Sequence, residues 1–337
     1  MTNVVLAVDV GYGNIKAAWG NKCTPQTEII FKSIANKITH STDEKPCTSL
    51  GRVPIDIDGD IYMIGPDSHL FSGSRILDVD YVARKEYLAF LRASMHFMFN
   101  QTGVFHKIDR LAVGLPVSSY ASKKSELVRI CKGVHEVPTP LALVKTLGAT
   151  VKVAVESVIV IPQPFGALSV FASKCALLNR SGGATLIIDP GYKTLDWVFA
   201  NGMNVDLERC GSFNGGVSTL LREVSSVVGK KLGVGFIDLI EVEEAINSGK
   251  IFADGRFYDF SPYLEFVKEA ATQAIDKFFS ALNVDREFTS IVLTGGGAKY
   301  YRDALAQKFP THDIQFDEDA VMNNVRGFYL VAKGGMP

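Results

Sequence analysis

Two acidic turns of the same pattern follow apolar runs, at positions 9 and 189 of the chain. In each, the run ends in an aspartate, a Gly-Tyr pair and short polar residues follow, and apolar residues then resume. The first copy reads Leu6-Ala-Val-Asp9-Val-Gly11-Tyr12-Gly13-Asn14-Ile-Lys16, and the second reads Leu186-Ile-Ile-Asp189-Pro-Gly191-Tyr192-Lys193-Thr194-Leu-Asp196. Two copies of one strand–turn–strand device predict two related halves that face a shared ligand.

The residue types in these turns suit a polyphosphate with its metal ion. Gly11 and Gly13 carry no Cβ, so backbone N–H groups there can approach phosphate oxygens. Asn14 can donate through its amide, and Lys16 adds a cation that can reach phosphate. Asp9 is itself an anion, so we expect it to act as an outer ligand of Mg²⁺, holding metal-bound waters. The second turn has the same arrangement. We expect Asp189 to hold the metal ion there, and the phosphates to be contacted by Gly191, Tyr192, Lys193 and Thr194.

A single turn of this kind often marks only a tight hairpin on a buried strand. The matched second copy makes coincidence a poor explanation, and phosphate binding is therefore the favoured interpretation. Two aspartates and two turns rich in N–H groups would bind one Mg²⁺–triphosphate.

A third turn is rich in glycine and follows another apolar strand. It reads Ile291-Val-Leu-Thr294-Gly295-Gly296-Gly297-Ala298-Lys299. Three glycines make the turn flat enough for a planar group, or for further phosphate, to pack on its backbone. Alone, such a triplet is equally typical of a close strand–helix contact. Together with the acidic turns it predicts a site for a nucleotide base or ribose, with Lys299 or Tyr300 lying on the base.

Gln163 is the candidate for work on the reacting phosphate, together with Asp9 and Asp189. It stands in Pro162-Gln163-Pro164, just before a helix that we expect to begin near Gly166-Ala167. Glutamine orients the attacking water in other nucleotide hydrolases, and this position suits the same role. The alternative is an ordinary polar residue at a helix start.

Strand and helix patterns alternate along the chain, which predicts an α/β fold with parallel strand pairing. The boundary between the halves is expected near residue 150. The first domain would comprise residues 1–150, and the second residues 151–319. The last helix, in residues 320–337, is expected to return to the first domain.

Composition narrows the function classes. The 337 residues are 47% hydrophobic and 21% charged, with a net charge of -1, which describes a globular protein with no general attraction to nucleic acid. No apolar run reaches the roughly 18–20 residues of a membrane span, and the N-terminus leads directly into a strand, so we expect a cytoplasmic protein that contacts neither membrane nor DNA. The five cysteines form no Cys-x-x-Cys pair, and neither they nor the six histidines suggest a metal site.

These motifs, in this order, resemble those of the actin-like ATPases, and within them the plasmid-segregation branch of ParM and StbA type. The resemblance rests on Asp9 to Lys16, Gly114-Leu-Pro-Val117, Pro162-Gln163, Asp189 to Asp196 and Gly295 to Gly297, and it extends to Asn323-Asn-Val-Arg-Gly327-Phe-Tyr in the last helix. It implies an actin-like fold, a duplicated ribonuclease H-like design of two domains, with Mg-ATP in the cleft between them. GTP is the alternative nucleotide.

The resemblance also implies how such a protein works. The two Asp turns match the phosphate motifs, Gly295 to Gly297 match the adenosine motif, and Gln163 matches the residue that positions water. ATP would favour head-to-tail self-association into filaments, and hydrolysis would favour their loss. Such a filament would move plasmid DNA through a DNA-binding adaptor protein of a partition system.

Other members of the same superfold remain as alternatives. A small-molecule kinase needs a carboxylate base and a closed pocket for the acceptor hydroxyl, and 337 residues leave little room for that pocket. A chaperone would need a second, peptide-binding region. A membrane-linked division protein would want a terminal amphipathic helix.

Overall fold

The computed structural model describes residues 3–21, 26–38, 51–70, 80–174, 184–282 and 288–334. The chain divides into two compact units. Unit 1 comprises residues 1–176 together with 322–337, and unit 2 comprises residues 177–321.

Unit 1 is built on a mixed sheet. Its strands are β1 (Val5–Val10), β2 (Asn14–Gly20), β3 (Thr27–Lys32), β4 (Asn36–Ile38), β5 (Val53–Ile57), β6 (Asp60–Ile64), β7 (Lys107–Leu115), β8 (Gly133–Pro138) and β9 (Thr150–Pro162). The main sheet has the order β3-β2-β1-β7-β9-β8, and β4, β6 and β5 form a smaller antiparallel sheet. β1 is buried along its whole length, as its unbroken apolar run predicts for a central strand.

Helices complete unit 1. They are α1 (Lys85–Thr102), α2 (Val117–Cys131), α3 (Val144–Leu147), α4 (Gln163–Lys174) and α9 (Asn323–Lys333). α1 contributes many buried apolar side chains to the core, including Tyr87, Phe90 and Leu91. α9 packs against α4 and against β1 and β7, so the last helix belongs to unit 1.

Unit 2 repeats the plan around its own core. Its strands are β10 (Ala184–Pro190), β11 (Leu195–Asn201), β12 (Asn204–Val205), β13 (Gly211–Phe213), β14 (Lys250–Ala253), β15 (Arg256–Asp259), β16 (Phe288–Leu293) and β17 (Asp313–Phe316). Its helices are α5 (Val217–Leu232), α6 (Leu239–Ser248), α7 (Leu264–Ala281) and α8 (Ala298–Lys308). The main sheet has the order β12-β11-β10-β16-β17, and β14 and β15 form a separate hairpin.

The main sheets of the two units share one topology. In each, an antiparallel hairpin leads, β1–β2 or β10–β11, and its first strand then pairs in parallel with a later strand, β7 or β16. A further parallel strand, β9 or β17, continues the sheet. The duplicated α/β architecture predicted from the sequence is therefore confirmed.

The expected domain boundary at residue 150 differs from the division of the structure. β9 begins at Thr150 but pairs in parallel with β7 and antiparallel with β8, so it stays in the sheet of unit 1. α4 follows it and packs on α9. Unit 1 therefore extends to residue 176, because long-range pairing, which the local pattern does not encode, decides which sheet a strand joins.

Two other features bear on the sequence-based expectations. Among the described residues, no helix is both long and apolar enough to cross a bilayer. Cys131 is a buried free thiol and Cys210 a partly exposed one, whereas Cys23, Cys47 and Cys175 lie outside the described residues.

Candidate functional site

The first acidic turn joins β1 to β2. The hairpin register places Asp9 opposite Lys16, and the Lys16 Nζ donates to the Asp9 Oδ2 at 2.8 Å. Both side chains are buried, whereas Gly11, Tyr12 and Asn14 in the turn are partly exposed. The turn closes through the Gly11 N–H and the Asn14 carbonyl, 3.2 Å apart. The turn is therefore accessible to a ligand at Gly11, Tyr12 and Asn14, whereas Gly13 is buried. Lys16, which we expect to reach phosphate, pairs here with Asp9.

Gln163 lies beside this turn, although 154 residues separate it from Asp9. β1, β7 and β9 run parallel, so their carboxyl ends meet at one edge of the sheet, where open α/β sheets bind ligands. Asp9 stands near the end of β1, and α4 begins with Gln163 directly after β9. The Gln163 Nε2 donates to the Asp9 Oδ1 at 2.7 Å. The structure thus brings Asp9, Lys16 and Gln163 into one buried cluster.

Ser33 supports the first turn from the neighbouring strand. Its hydroxyl donates to the Gly11 carbonyl at 2.5 Å, and its backbone N–H donates to the Gly13 carbonyl at 3.1 Å. The Gly11 and Gly13 carbonyls are therefore occupied by hydrogen bonds within the protein. The sequence motif gave no sign of this residue, because Ser33 follows β3 and lies outside the repeated pattern.

The second acidic turn joins β10 to β11 in the same geometry. The Gly191 N–H donates to the Thr194 carbonyl at 2.8 Å, as Gly11 does to Asn14 in the first turn. The register pairs Asp189 with Asp196, where the first hairpin pairs Asp9 with Lys16. Both acidic side chains are buried, and the Thr194 hydroxyl donates to the Asp196 Oδ2 at 3.2 Å. Like charges on directly opposite residues destabilise a hairpin, so a cation beside this pair would stabilise the turn. Asp196, which our sequence-based assignment omitted, is therefore a further candidate site residue.

The start of α5 supports this second turn. The N–H groups of Gly216, Val217 and Ser218 donate to the carbonyls of Lys193, Gly191 and Tyr192, at 3.1, 3.0 and 2.7 Å. A Cβ at Gly216 would lie 2.5 Å from the Gly191 oxygen, so only glycine permits this approach.

Tyr301 holds Gly215, the residue before Gly216, in position. Its hydroxyl donates to the Gly215 carbonyl at 3.2 Å. Burial raises the pKa of the Tyr301 phenol, so it stays neutral and keeps the proton that it donates. Gly215 and Gly216 therefore shape the second turn.

The glycine triplet packs directly against Asp189. Gly295 has a φ of +81°, and a Cβ there would overlap the Asp189 carboxylate. A Cβ at Gly297 would lie 2.5 Å from the Pro190 oxygen, which accepts the Gly297 N–H at 2.8 Å. Gly296 is exposed. The triplet thus fixes the position of the second acidic turn and leaves one glycine open to a ligand.

A cavity of about 360 Å³ lies in unit 2 between α6, α7 and α8. Lys299 and Tyr300 from the first turn of α8 line it, together with Asn247 at the end of α6. Its volume lies at the lower end of the range of small-molecule sites. The Lys299 Nζ donates to the Asn247 Oδ1 at 2.5 Å and lies 4.9 Å from the Tyr300 ring centre. Both residues that we expected on a nucleotide base therefore border one cavity.

Two family models match the sequence. Residues 7–166 match the model described as the N-terminal domain of actin-like proteins, and residues 187–307 match the C-terminal model of the archaeal, MreB-like actin homologue. The chain belongs to the actin-like proteins. No curated protein matches the sequence.

Solved structures share the fold of this actin-like protein at low sequence identity. The archaeal actin homologue Ta0583 superposes with a TM-score of 0.78 at 20% identity, over 98% of this chain and 99% of that chain. Its complex with ADP gives a TM-score of 0.75. A 15-stranded ParM filament from Clostridium botulinum gives a TM-score of 0.73 at 17% identity, over 99% of this chain and 100% of that chain.

The candidate metal ligands of this actin-like protein suit Mg²⁺ better than they suit a metal ion bound only by protein side chains. Among the described residues, no three His, Cys, Asp or Glu side chains cluster as a metal cage. Mg²⁺ keeps several waters and binds through one or two carboxylates together with substrate phosphates. Asp189 and Asp196 offer such carboxylates beside a turn that phosphate could reach, so the residues fit this ion.

Proposed function

We propose that this actin-like protein binds one Mg²⁺–nucleoside triphosphate through both acidic turns, hydrolyses it and assembles head-to-tail into filaments. The observation that carries the proposal is the duplicated hairpin, with a buried aspartate at the base of each turn and Gln163 bonded to one of them. ATP is the first candidate nucleotide, because the Ta0583 relative has been solved with ADP.

The phosphates, the base and the metal ion each have a candidate site. The phosphates would meet the backbone N–H groups of the two turns, with Asn14, Lys193 and Thr194 as side-chain contacts. The base would enter the cavity beside Lys299 and Tyr300. Mg²⁺, when bound, would neutralise charge on the β- and γ-phosphates, with Asp189 and Asp9 holding its waters.

Gln163 would orient the attacking water. An ionised carboxylate only accepts hydrogen bonds, so the Gln163 side chain must present its NH₂ group to Asp9. Its carbonyl oxygen is then an acceptor fixed in direction, suited to a proton of the water. Asp9 has a second role in this account, because it holds the Gln163 amide in one orientation.

Self-association would follow nucleotide binding. Contact between different faces of identical subunits gives an open filament when the rotation does not close. A ParM filament is among the structures with this fold. With a net charge of -1, the chain has no general attraction to DNA, so we propose that a filament in the cytoplasm would move plasmid DNA through a DNA-binding adaptor protein.

Sedimentation tests assembly. With Mg-ATP or Mg-GTP, a larger fraction of the purified protein should pellet, and negative-stain microscopy should show filaments in the same sample. Excess EDTA should keep the protein in the supernatant. A protein that stays monomeric with both nucleotides, but phosphorylates a small hydroxyl compound, would be a kinase of the same superfold and would refute the filament proposal.

Replacing Gln163 by alanine tests hydrolysis. Phosphate release should fall about 100-fold, the size of effect typical for a group that assists proton transfer, and filaments should persist longer. Nucleotide affinity should stay near that of the wild type, because Gln163 is assigned to the water. Gln273→Ala, at an exposed position of α7, is the matched control. Unchanged phosphate release in Gln163→Ala would remove Gln163 from the mechanism.

A further inference from the structure

Gly114 lies directly beside Gln163, near the carboxyl end of β7. A Cβ built on Gly114 would lie 3.1 Å from the Gln163 Cγ and 2.6 Å from the Cε2 and Cζ atoms of Phe328. Carbon atoms in favourable contact are about 3.5–4.0 Å apart. The stem of Gln163 and the edge of the Phe328 ring therefore occupy the space that a side chain at position 114 would need.

Phe328 also contacts the helix that carries Gln163. A Cβ at Gly166, three residues into α4, would lie 2.8 Å from the Phe328 Cε1. The ring thus lies between β7 and the first turn of α4. Gln163 is held at both ends, because its stem lies beside Gly114 and its amide donates to the Asp9 Oδ1 at 2.7 Å.

We propose that Gly114 is a positioning residue for Gln163. The missing side chain at position 114 lets the Gln163 stem lie against the strand, which keeps its amide on Asp9. The effect of this contact on turnover rests on the proposed function, in which Gln163 orients water. The contact itself exists without nucleotide.

A substitution at Gly114 should displace Gln163 as well as the Phe328 ring. α9, which carries Phe328, is fixed at several points. Arg326 makes a bidentate pair with Glu28 at 2.8 Å, and the Arg110 Nη1 donates to the Ala332 carbonyl at 2.9 Å. Gln163 has rotatable side-chain torsions, and within the described part of the chain its side chain makes one hydrogen bond, to Asp9, so it can move at lower energetic cost.

The ¹H–¹⁵N signal of the Gln163 side-chain NH₂ group tests the positioning directly, in protein without nucleotide. The signal is identified by its loss in Gln163→Ala. In Gly114→Ala it should shift or broaden, and Gly114→Ala with Phe328→Leu should recover part of the wild-type position, because leucine leaves room beside the new methyl group. An unmoved signal in Gly114→Ala would overturn the proposal.

A matched control separates positioning from general overpacking. A Cβ at Gly211 would lie 2.5 Å from the Trp197 ring, a comparable overlap in unit 2. Gly211→Ala should leave the Gln163 signal in place. If Gly114→Ala alone does not fold, the test compares the Gln163 signal of the double variant with that of Phe328→Leu. These two proteins differ only in the methyl group at position 114, which still contacts the Gln163 stem. Identical Gln163 signals in those two proteins would also overturn the proposal.

Measurements of phosphate release then test whether the contact between Gly114 and Gln163 affects the proposed function. Gly114→Ala should lower phosphate release about 10-fold with nucleotide affinity retained, because Gln163 must move by a few tenths of an ångström and a misplacement of about 1 Å can cost about 100-fold. It should cause no further loss in the Gln163→Ala background. A full additional loss there would show that Gly114 acts through another group. A moved signal with unchanged turnover would leave Gly114 as the positioning residue and refute the hydrolytic role of Gln163.

Discussion

Asp189→Asn is expected to abolish nucleotide-dependent sedimentation and to lower Mg-ATP affinity or hydrolysis about 10- to 100-fold, the loss typical when a group that orients metal-bound water is changed. Asparagine keeps the shape of the side chain, so its fit beside Gly295 is preserved. It removes the negative charge that we assign to the metal waters. Calorimetry with Mg-ATP and a sedimentation assay measure the two effects.

The control for this variant is another aspartate of unit 2. Asp276 pairs with Lys308 on the exposed surface, at 2.5 Å, and has no assigned role in nucleotide binding. Asp276→Asn should bind nucleotide and sediment as the wild type does. If Asp189→Asn behaved in the same way as Asp276→Asn, the second acidic turn would not be a metal–phosphate site.

Gly327→Ala is expected to lower the free energy of unfolding of unit 1 by about 2 kcal/mol or more. A Cβ at Gly327 would overlap the Gly166 backbone carbonyl, and a backbone atom cannot rotate away. Alanine gains about 1 kcal/mol of helix propensity over glycine, but overpacking of a close contact costs about 1–3 kcal/mol or more. The clash therefore outweighs the propensity, and the substitution lowers the free energy of unfolding. The melting temperature, followed by circular dichroism without nucleotide, should fall by about 4–8 °C.

Gly235→Ala is the matched control for Gly327→Ala. Gly235 is exposed, and a Cβ there meets no atom within 4 Å. Its substitution should change the unfolding free energy by less than about 0.5 kcal/mol. A melting temperature of Gly327→Ala equal to that of the wild type would show that α4 and α9 are not in the close contact that places Gln163.

The parts of the site that follow from local pattern could be predicted from the sequence. The Asp-Gly pair between β5 and β6 forms a hairpin turn, as this dipeptide favours, with Asp58 at a φ of +53° and Gly59 at +83°. Both acidic hairpins form where the repeated pattern places them. The pairing of Asp9 with Lys16, which we did not predict, also follows from local pattern, since a tight turn fixes the register of the strands that flank it.

Contacts between distant segments could not be predicted. Ser33, the residue after β3, supports the first turn, and the start of α5 supports the second, but no spacing in the sequence predicts either contact. Gly114, Gly166 and Gly327 are important through the neighbours that a Cβ would meet, and those neighbours come from other segments. A glycine required by close packing looks the same in sequence as a glycine in a loop.

The central claim is that one metal–nucleotide contacts both acidic turns. Mn²⁺ in place of Mg²⁺, bound with a non-hydrolysable ATP analogue below the assembly concentration, broadens the NMR signals of nearby backbone amides. The account predicts that the amides of Gly11 and Gly13 and those of Gly191 and Thr194 broaden together, reaching completion at one nucleotide per chain. Broadening confined to one of the two turns, or two separate titration steps, would contradict it.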